Sequence, residues 1–405
     1  MTRQVKVAII GGGPAGLAAA MILRDAGITD VVVLERETEA GGIPRHCGHP
    51  PFGIREFGRI MTGPGYAARL RAATRDIEVR TRNAVTALHP GGALWLTTPD
   101  GPQTIHAERV LIATGIREAP RAQYLASGTR PMGVCNTGAL QQYVYLHRLV
   151  PFRRPIVLGT ELVGFSALLT CRRAGIKPVA MIEEGDRVTA RFPAALFPRL
   201  VMGVPILLGA RIEEIEGDDR VRAVRIGRRD GAIHRFACDG VLLTGKFTPE
   251  NALVQSSHLI IDRATRGPEI DQFGRCSDPV YSSAGNILRA VETAGWCFRE
   301  GRRAGRAIAD SLRGDLAGPA NRIPVGHAPP IEFVVPQVVS QPLVNSLLPE
   351  FGLRVEQPCR GVLGLAVNGR ELWSRKISAL PGRRIRIPPV AVGGEPVEAL
   401  DITIA

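Results

Sequence analysis

The chain has 405 residues, 45% hydrophobic and 22% charged, the balance of an ordinary globular protein long enough to bury its cores without staples. Its net charge of +13 comes almost entirely from arginine, because lysine occurs only at Lys6, Lys177, Lys246 and Lys376. The arginines stand singly or in pairs such as Arg153-Arg154, with no basic run interleaved with aromatics, so nucleic-acid binding is not expected. A basic surface suits an acidic partner, an anionic substrate or an anionic membrane face, or is simply a solvated face.

The seven cysteines, from Cys47 to Cys359, form no C-x-x-C or C-x-C pair, which excludes a thioredoxin-type dithiol, a zinc ribbon and a ferredoxin-type cluster on local spacing. No metal site is expected. An odd, dispersed set suits a reducing cytosol, and the chain opens directly into a strand, so a cytoplasmic protein without a signal peptide is expected. No apolar run is long enough for a membrane span.

The opening stretch Val5 to Glu35 is the organising one. An apolar run of strand length precedes Gly11-Gly12-Gly13-Pro14-Ala15-Gly16; an Ala/Leu-rich helical run ends at Gly27; a second apolar run, Val31 to Leu34, ends in Glu35. This is the dinucleotide-binding βαβ fingerprint in its full context. Gly11 permits the tight turn, Gly13 lets a pyrophosphate approach the backbone, and Gly16 lets the helix pack on the strand. The helix N-terminus offers N–H groups to the phosphates. Glu35 stands where an acid accepts the ribose hydroxyls, with Arg36 beside it.

Further on, Tyr66 to Ala73 reads as a helix and Ile77–Val79 and Leu94–Thr98 as strands, with a hairpin turn at Asp100-Gly101. Arg109 to Gly115 is a strand ending in Thr114-Gly115, and Pro120 to Pro131 reads as a crossover. Pro155 to Glu183 then repeats the opening βαβ pattern, with Gly159 and Gly164 but with Glu161 in place of the central glycine. A Cβ and a carboxylate there obstruct and repel a pyrophosphate. Either the second site has lost NAD(P), or the nucleotide binds with Glu161 turned away; if it binds, Glu183 favours NADH over NADPH. A β-meander follows over Ile212 to Phe236, and Thr244-Gly245 mirrors Thr114-Gly115.

These motifs resemble those of the two-dinucleotide-binding-domain flavoproteins, the pyridine nucleotide-disulfide reductase-like superfamily that includes glutathione and thioredoxin reductases. The resemblance covers roughly Val5 to Leu312 and implies FAD in the first fold. It implies α/β architecture: two Rossmann-like three-layer nucleotide-binding domains, the second inserted in the first, plus a small C-terminal β-rich module. The expected boundaries are residues 1–120 and 241–318 for the FAD domain, 121–240 for the NAD(P)-binding-like domain and 319–405 for a Pro-rich linker and the module, with a hairpin at Asn368-Gly369. Docking and plain packing are both open as roles for that module.

In the glutathione reductase branch the Gly41-Gly42 pair leads into a redox-active cysteine pair. Here Pro44 and His49 occupy those two positions, so no disulfide relay is expected. His46, Cys47 and His49 remain as candidates for chemistry beside the flavin, a histidine taking a proton as hydride leaves, or else as hydrogen-bonding loop residues. The second FAD motif, Cys276 to Asn286, carries Gly285-Asn286 where the family has Gly-Asp; Asn286 can still bond ribityl hydroxyls. Gly295 opens the helix whose N-terminus would face the flavin pyrimidine edge, and Trp296 either stacks there or fills core. The cofactor-binding candidates are thus Gly11, Gly13, Pro14, Ala15, Gly16, Glu35, Arg36, Gly42, Thr114, Gly115, Gly285, Asn286 and Gly295.

Within the superfamily the likeness points to flavoprotein subunits of bacterial opine, hydroxyproline and amino-acid dehydrogenases. The expected function is an FAD-dependent dehydrogenase, or one subunit of such an enzyme, acting on a small-molecule amine, amino acid or hydroxy compound. Electrons would pass to a partner, such as a second flavoprotein or an iron–sulfur subunit, or to quinone. The alternatives are an NADH-dependent flavin reductase and a non-catalytic FAD-bearing docking subunit.

Overall fold

A computed structural model describes residues 2–190, 202–316, 318–393 and 396–405. The chain divides into two compact units, one of residues 1–42, 70–116 and 249–405, the other of residues 43–69 and 117–248.

The first unit is built on a parallel sheet. The opening strand Thr2–Ile10 lies between Val31–Leu34 and Gly101–Ile112, parallel to both, with Glu78–Arg80 outside Val31–Leu34. Tyr281–Ser283 returns from far along the chain to pair in parallel with the end of Gly101–Ile112. Val7, Ala8, Ile9, Val32 and Val33 have no solvent exposure, as a sheet covered on both faces requires. Hairpin-linked strands Ala84–His89 and Ala93–Thr98 extend the sheet antiparallel, with Thr98 paired to Gly101 where the Asp-Gly turn was expected. The strand Ala84–His89 was not anticipated, and only Leu88 of it is buried, which leaves little alternation to read.

Two helices, Pro14–Asp25 and Ala294–Arg313, pack against each other in this unit. Their backbones meet through small residues. A Cβ on Gly301 would overlap the Ala15 carbonyl, and one on Gly305 would lie 2.8 Å from that of Ala19.

The C-terminal part of the same unit is β-rich. Its larger sheet runs Val338–Gln341, Asn321–His327, Leu400–Ile404, Cys359–Val367, Arg370–Ala379, with the hairpin at Asn368-Gly369 joining the last two. A smaller sheet runs Ile331–Val335, Phe351–Val355, Ile385–Ile387. Phe351, Leu353, Leu363, Leu365 and Ile402 are among the side chains of its own core. Phe333 and Val335 instead join the core of the parallel sheet, alongside Ile270 and Leu288. The module therefore shares apolar packing with the nucleotide fold of its unit.

The second unit has a second parallel sheet, ordered Ile206–Leu208, Ala180–Glu183, Pro155–Leu158, Gly240–Leu243, Val134–Asn136. Helix Leu162–Arg173 follows its fingerprint turn. The meander consists of Ala210–Glu216, Ala223–Arg228 and Ile233–Ala237. The architecture is thus the α/β one expected, two Rossmann-like folds and a β-rich C-terminal part.

Candidate functional site

The first fingerprint turn is an open cradle. Gly11 has φ +108°, and a Cβ there would overlap the Ala113 carbonyl, so the turn admits no side chain. At Gly13 the nearest atom to an added Cβ is the Gly42 Cα at 3.8 Å, and at Gly115 there is open space. Pro14 starts the helix at a position whose missing N–H would be unpaired anyway. Glu35 is buried, and its carboxylate accepts from the Gly12 N–H at 2.9 Å and the Glu37 N–H at 2.9 Å, fixing the turn and leaving further lone pairs on both oxygens. Arg36 is exposed and pairs with Glu250 at 3.5 Å; the Glu250 carbonyl accepts from the Thr114 hydroxyl at 2.7 Å.

Gly285 closes the cradle from the far part of the chain, because a Cβ on it would lie 2.8 Å from that of Ala15. Asn286 turns its amide inward: it donates to the Glu292 carbonyl at 3.1 Å and accepts from the Glu292 N–H at 2.7 Å. Helix Ala294–Arg313 starts immediately after, with Gly295 in its first turn and no side chain capping it. Trp296 is neither buried core nor open; it sits among guanidiniums, with Arg299 3.9 Å, Arg384 4.4 Å and Arg386 5.5 Å from its ring centre. The candidates Gly11, Gly13, Pro14, Ala15, Gly16, Glu35, Arg36, Gly42, Thr114, Gly115, Gly285, Asn286 and Gly295 all fall in the first unit. Glycine-lined space, a helix N-terminus and a buried acid at the strand end fit the pyrophosphate and ribose of FAD.

The corresponding turn of the second unit is filled by its own chain. Glu161 caps helix Leu162–Arg173, accepting from the Gly164 N–H at 3.2 Å and from the Thr244 hydroxyl. Its carboxylate occupies the space over Gly245, where an added Cβ would lie 2.6 Å from it; the same holds at Gly159. Gly115, the counterpart of Gly245, faces open space. Burial raises the Glu161 pKa, and the nearby Glu183 charge adds to this. Glu183 itself accepts from the Thr160 hydroxyl, from the Thr189 hydroxyl at 3.1 Å and from the Gly185 N–H at 3.1 Å. Glu161 is thus held inward, not turned away.

His46, Cys47 and His49 lie in the second unit. His46 is buried, with Nδ1 lacking a hydrogen-bond partner among the described residues; burial, aided by the Arg45 charge, lowers its pKa to about 4. The imidazole is neutral at pH 7 and a weak base. The Cys47 thiol donates to Gln141 Oε1 at 3.3 Å and is pushed up to about 12, mainly by burial, so it is not a thiolate at neutral pH. His49 Nδ1 lies 2.9 Å from the Pro50 carbonyl, which fixes the proton there and leaves Nε2 as the acceptor in the neutral ring.

Glu118 was not anticipated. Its carboxylate accepts from the Gly138 N–H at 2.5 Å, while Oε1 is buried without a hydrogen-bond partner among the described residues. Burial raises its pKa to about 7, the value suited to acid–base work at neutral pH. A single glutamate at the end of a short strand, Ile116–Glu118, gives no sequence signal.

Two Rossmann-like folds, the first with an open FAD cradle, define a flavin-dependent oxidoreductase of the two-nucleotide-fold class. The family model described as pyridine nucleotide-disulphide oxidoreductase matches residues 5–301, and the chain belongs to that family. An opine oxidase subunit of Rhizobium meliloti is 28% identical over 270 residues, covering 60% of this chain and 57% of that protein. The chain thus spans little more than half the length of that relative. A ferredoxin reductase subunit of 5,5'-dehydrodivanillate O-demethylase from a Sphingobium species is 28% identical over 310 residues, 73% of this chain and 69% of that one. Among solved structures, thioredoxin reductase of T. acidophilum superposes with a TM-score of 0.63 at 22% identity, covering 77% of this chain and 99% of that one. L-proline dehydrogenase from P. horikoshii does so with a TM-score of 0.60 at 20% identity, covering 78% and 58%. These superpositions show the fold. Among the described residues no group of three or more His, Cys, Asp or Glu could hold a metal ion. None of their helices is long and apolar enough to cross a membrane.

Proposed function

We propose that this chain is an FAD-dependent dehydrogenase, or the flavoprotein subunit of one, that oxidises an amine, amino acid or hydroxy compound. Its electrons would go to a partner protein or quinone instead of NAD(P). The observation that carries this reading is the Glu161 carboxylate seated over Gly245 in the second fingerprint turn. A dinucleotide would have to displace it and break its hydrogen bonds with Thr244 and Gly164. The likeness to the opine oxidase subunit supports an amino-acid-type substrate.

FAD, when bound, supplies the two-electron acceptor. The Gly11–Gly16 turn and the first N–H groups of helix Pro14–Asp25 would hold its pyrophosphate, and Glu35 a ribose hydroxyl. The uncapped start of helix Ala294–Arg313 favours negative charge on the reduced ring. As candidate proton acceptors, His49 offers Nε2, while His46, whose pKa burial lowers to about 4, is a poor base. Pro44 and His49 at the dithiol positions leave no disulfide relay.

The experiment is anaerobic addition of NADH to the flavin-loaded chain, compared with Glu161→Gly. The wild type should not bleach, while the variant should bind NADH at least tenfold more tightly. An NADH-dependent reductase is the second reading, favoured by Glu183 at the strand end and by the ferredoxin reductase relative; rapid bleaching of the wild type would establish it.

A further inference from the structure

The loop that leads into helix Ala294–Arg313 is held by a residue of the C-terminal module. Arg354, on the strand Phe351–Val355, is buried at 8% exposure. Its guanidinium donates to two consecutive carbonyls, those of Ala290 and Val291 (the latter at 2.7 Å), and to the Glu292 carboxylate at 3.3 Å. Glu292 in turn exchanges both of its backbone hydrogen bonds with the Asn286 side chain. Arg289 ties the loop forward, pairing with Glu292 at 3.5 Å and donating to Glu300 on the helix. One residue before Asn286, Gly285 abuts Ala15 of the fingerprint turn. A continuous set of contacts therefore runs from the module through residues 290–292 to the cradle and to the helix start. Phe333 of the module packs against the guanidinium, 5.7 Å from its ring centre, and limits where Arg354 can go.

We propose that Arg354 is a positioning residue for the flavin: it clamps the loop before helix Ala294–Arg313 and so sets FAD affinity and the stability of the reduced ring. This rests on the reading of the first cradle as the FAD site. A planar guanidinium can donate to two carbonyls and a carboxylate at once, whereas an ammonium carries the same charge without that fixed fork. The helix N-terminus stabilises reduced flavin only when its N–H groups are already in place, and a loop freed from its clamp loses that preorganisation.

The test compares wild type with Arg354→Gln, Arg354→Lys and Arg322→Gln. Arg322 also belongs to the module and bonds the Cys276 carbonyl at 2.8 Å and Glu269 at 2.9 Å, so its loss loosens the module away from the loop. The readouts are the FAD dissociation constant and the flavin midpoint potential by dye equilibration. R354Q should weaken FAD binding about tenfold and shift the reduced/oxidised ratio about tenfold toward oxidised, about 30 mV for a two-electron couple. R354K should shift both in the same direction, and R322Q should leave both within twofold of wild type. Unchanged R354Q, full rescue by R354K, or an equal shift in R322Q would each overturn the proposal. Should R354Q not fold, R354K decides by the same two readouts. A wild-type chain that takes up no FAD would instead remove the underlying cofactor reading, a result visible before any variant is made.

Discussion

Glu161 puts a carboxyl group of the chain itself in a turn otherwise shaped for a phosphate. Its hydroxyl donor, Thr244, lies 83 residues along the chain. That the glycine was missing could be read in the sequence; where the replacing carboxylate points could not, because the donor that holds it is fixed only by the pairing of Pro155–Leu158 with Gly240–Leu243. Removing the carboxylate costs a helix cap, about 1 kcal/mol at most in this setting, and opens the turn. Asn286 makes the complementary case. Asn286 is expected against the ribityl chain; its amide is also engaged with Glu292, leaving at most one N–H and one lone pair for a ligand. Asn286→Asp should break the bond to the Glu292 carbonyl and set a charge beside it. Flavin content after reconstitution should fall several-fold; unchanged content would show that the reciprocal bond does not matter for the cradle.

At the scale of elements, the packing of helix Ala294–Arg313 on Pro14–Asp25 depends on missing side chains. Gly301→Val should destabilise the chain by on the order of 3 kcal/mol and lower flavin uptake, since its Cβ overlaps the Ala15 carbonyl at the fingerprint turn. Urea unfolding monitored by circular dichroism would measure the first effect, and absorbance at the flavin band the second. The two βαβ units, the meander and the Asn368-Gly369 hairpin could be read from periodicity and turn chemistry, because those signals are local. The segment Thr137–Gln141 is an α-helical turn running into a wider-wound turn, Gln142–Leu146, a change of winding that no local sequence signal marks. Arg354 carried no local signal at all: its partners, residues 290–292, are some 60 positions away, and an isolated arginine in a strand looks like a solvated one.

For the molecule as a whole, buried titratable groups set the pH range of stability. Glu118 has a folded pKa of about 7 against an ordinary 4.5. Between those values the unfolded chain gives up a proton that the folded one keeps, so stability falls as pH rises from about 4.5 to about 7 and is level above. Glu118→Gln should remove that decline and stabilise the chain at pH 8 by on the order of 1–3 kcal/mol, as measured by thermal unfolding across pH; a parallel loss in variant and wild type would contradict it. His46 works from the other side, losing stability as pH falls from about 6.5 to about 4, because its folded pKa is depressed.

The central claim is that this oxidoreductase holds a working flavin cradle and a closed nicotinamide one. Anaerobic mixing of the flavin-loaded chain with NADH, followed at the flavin absorbance band, tests it most directly. The expected result is a spectrum unchanged by NADH yet bleached by dithionite. Rapid bleaching by NADH would contradict it, showing that a dinucleotide enters the second turn despite Glu161.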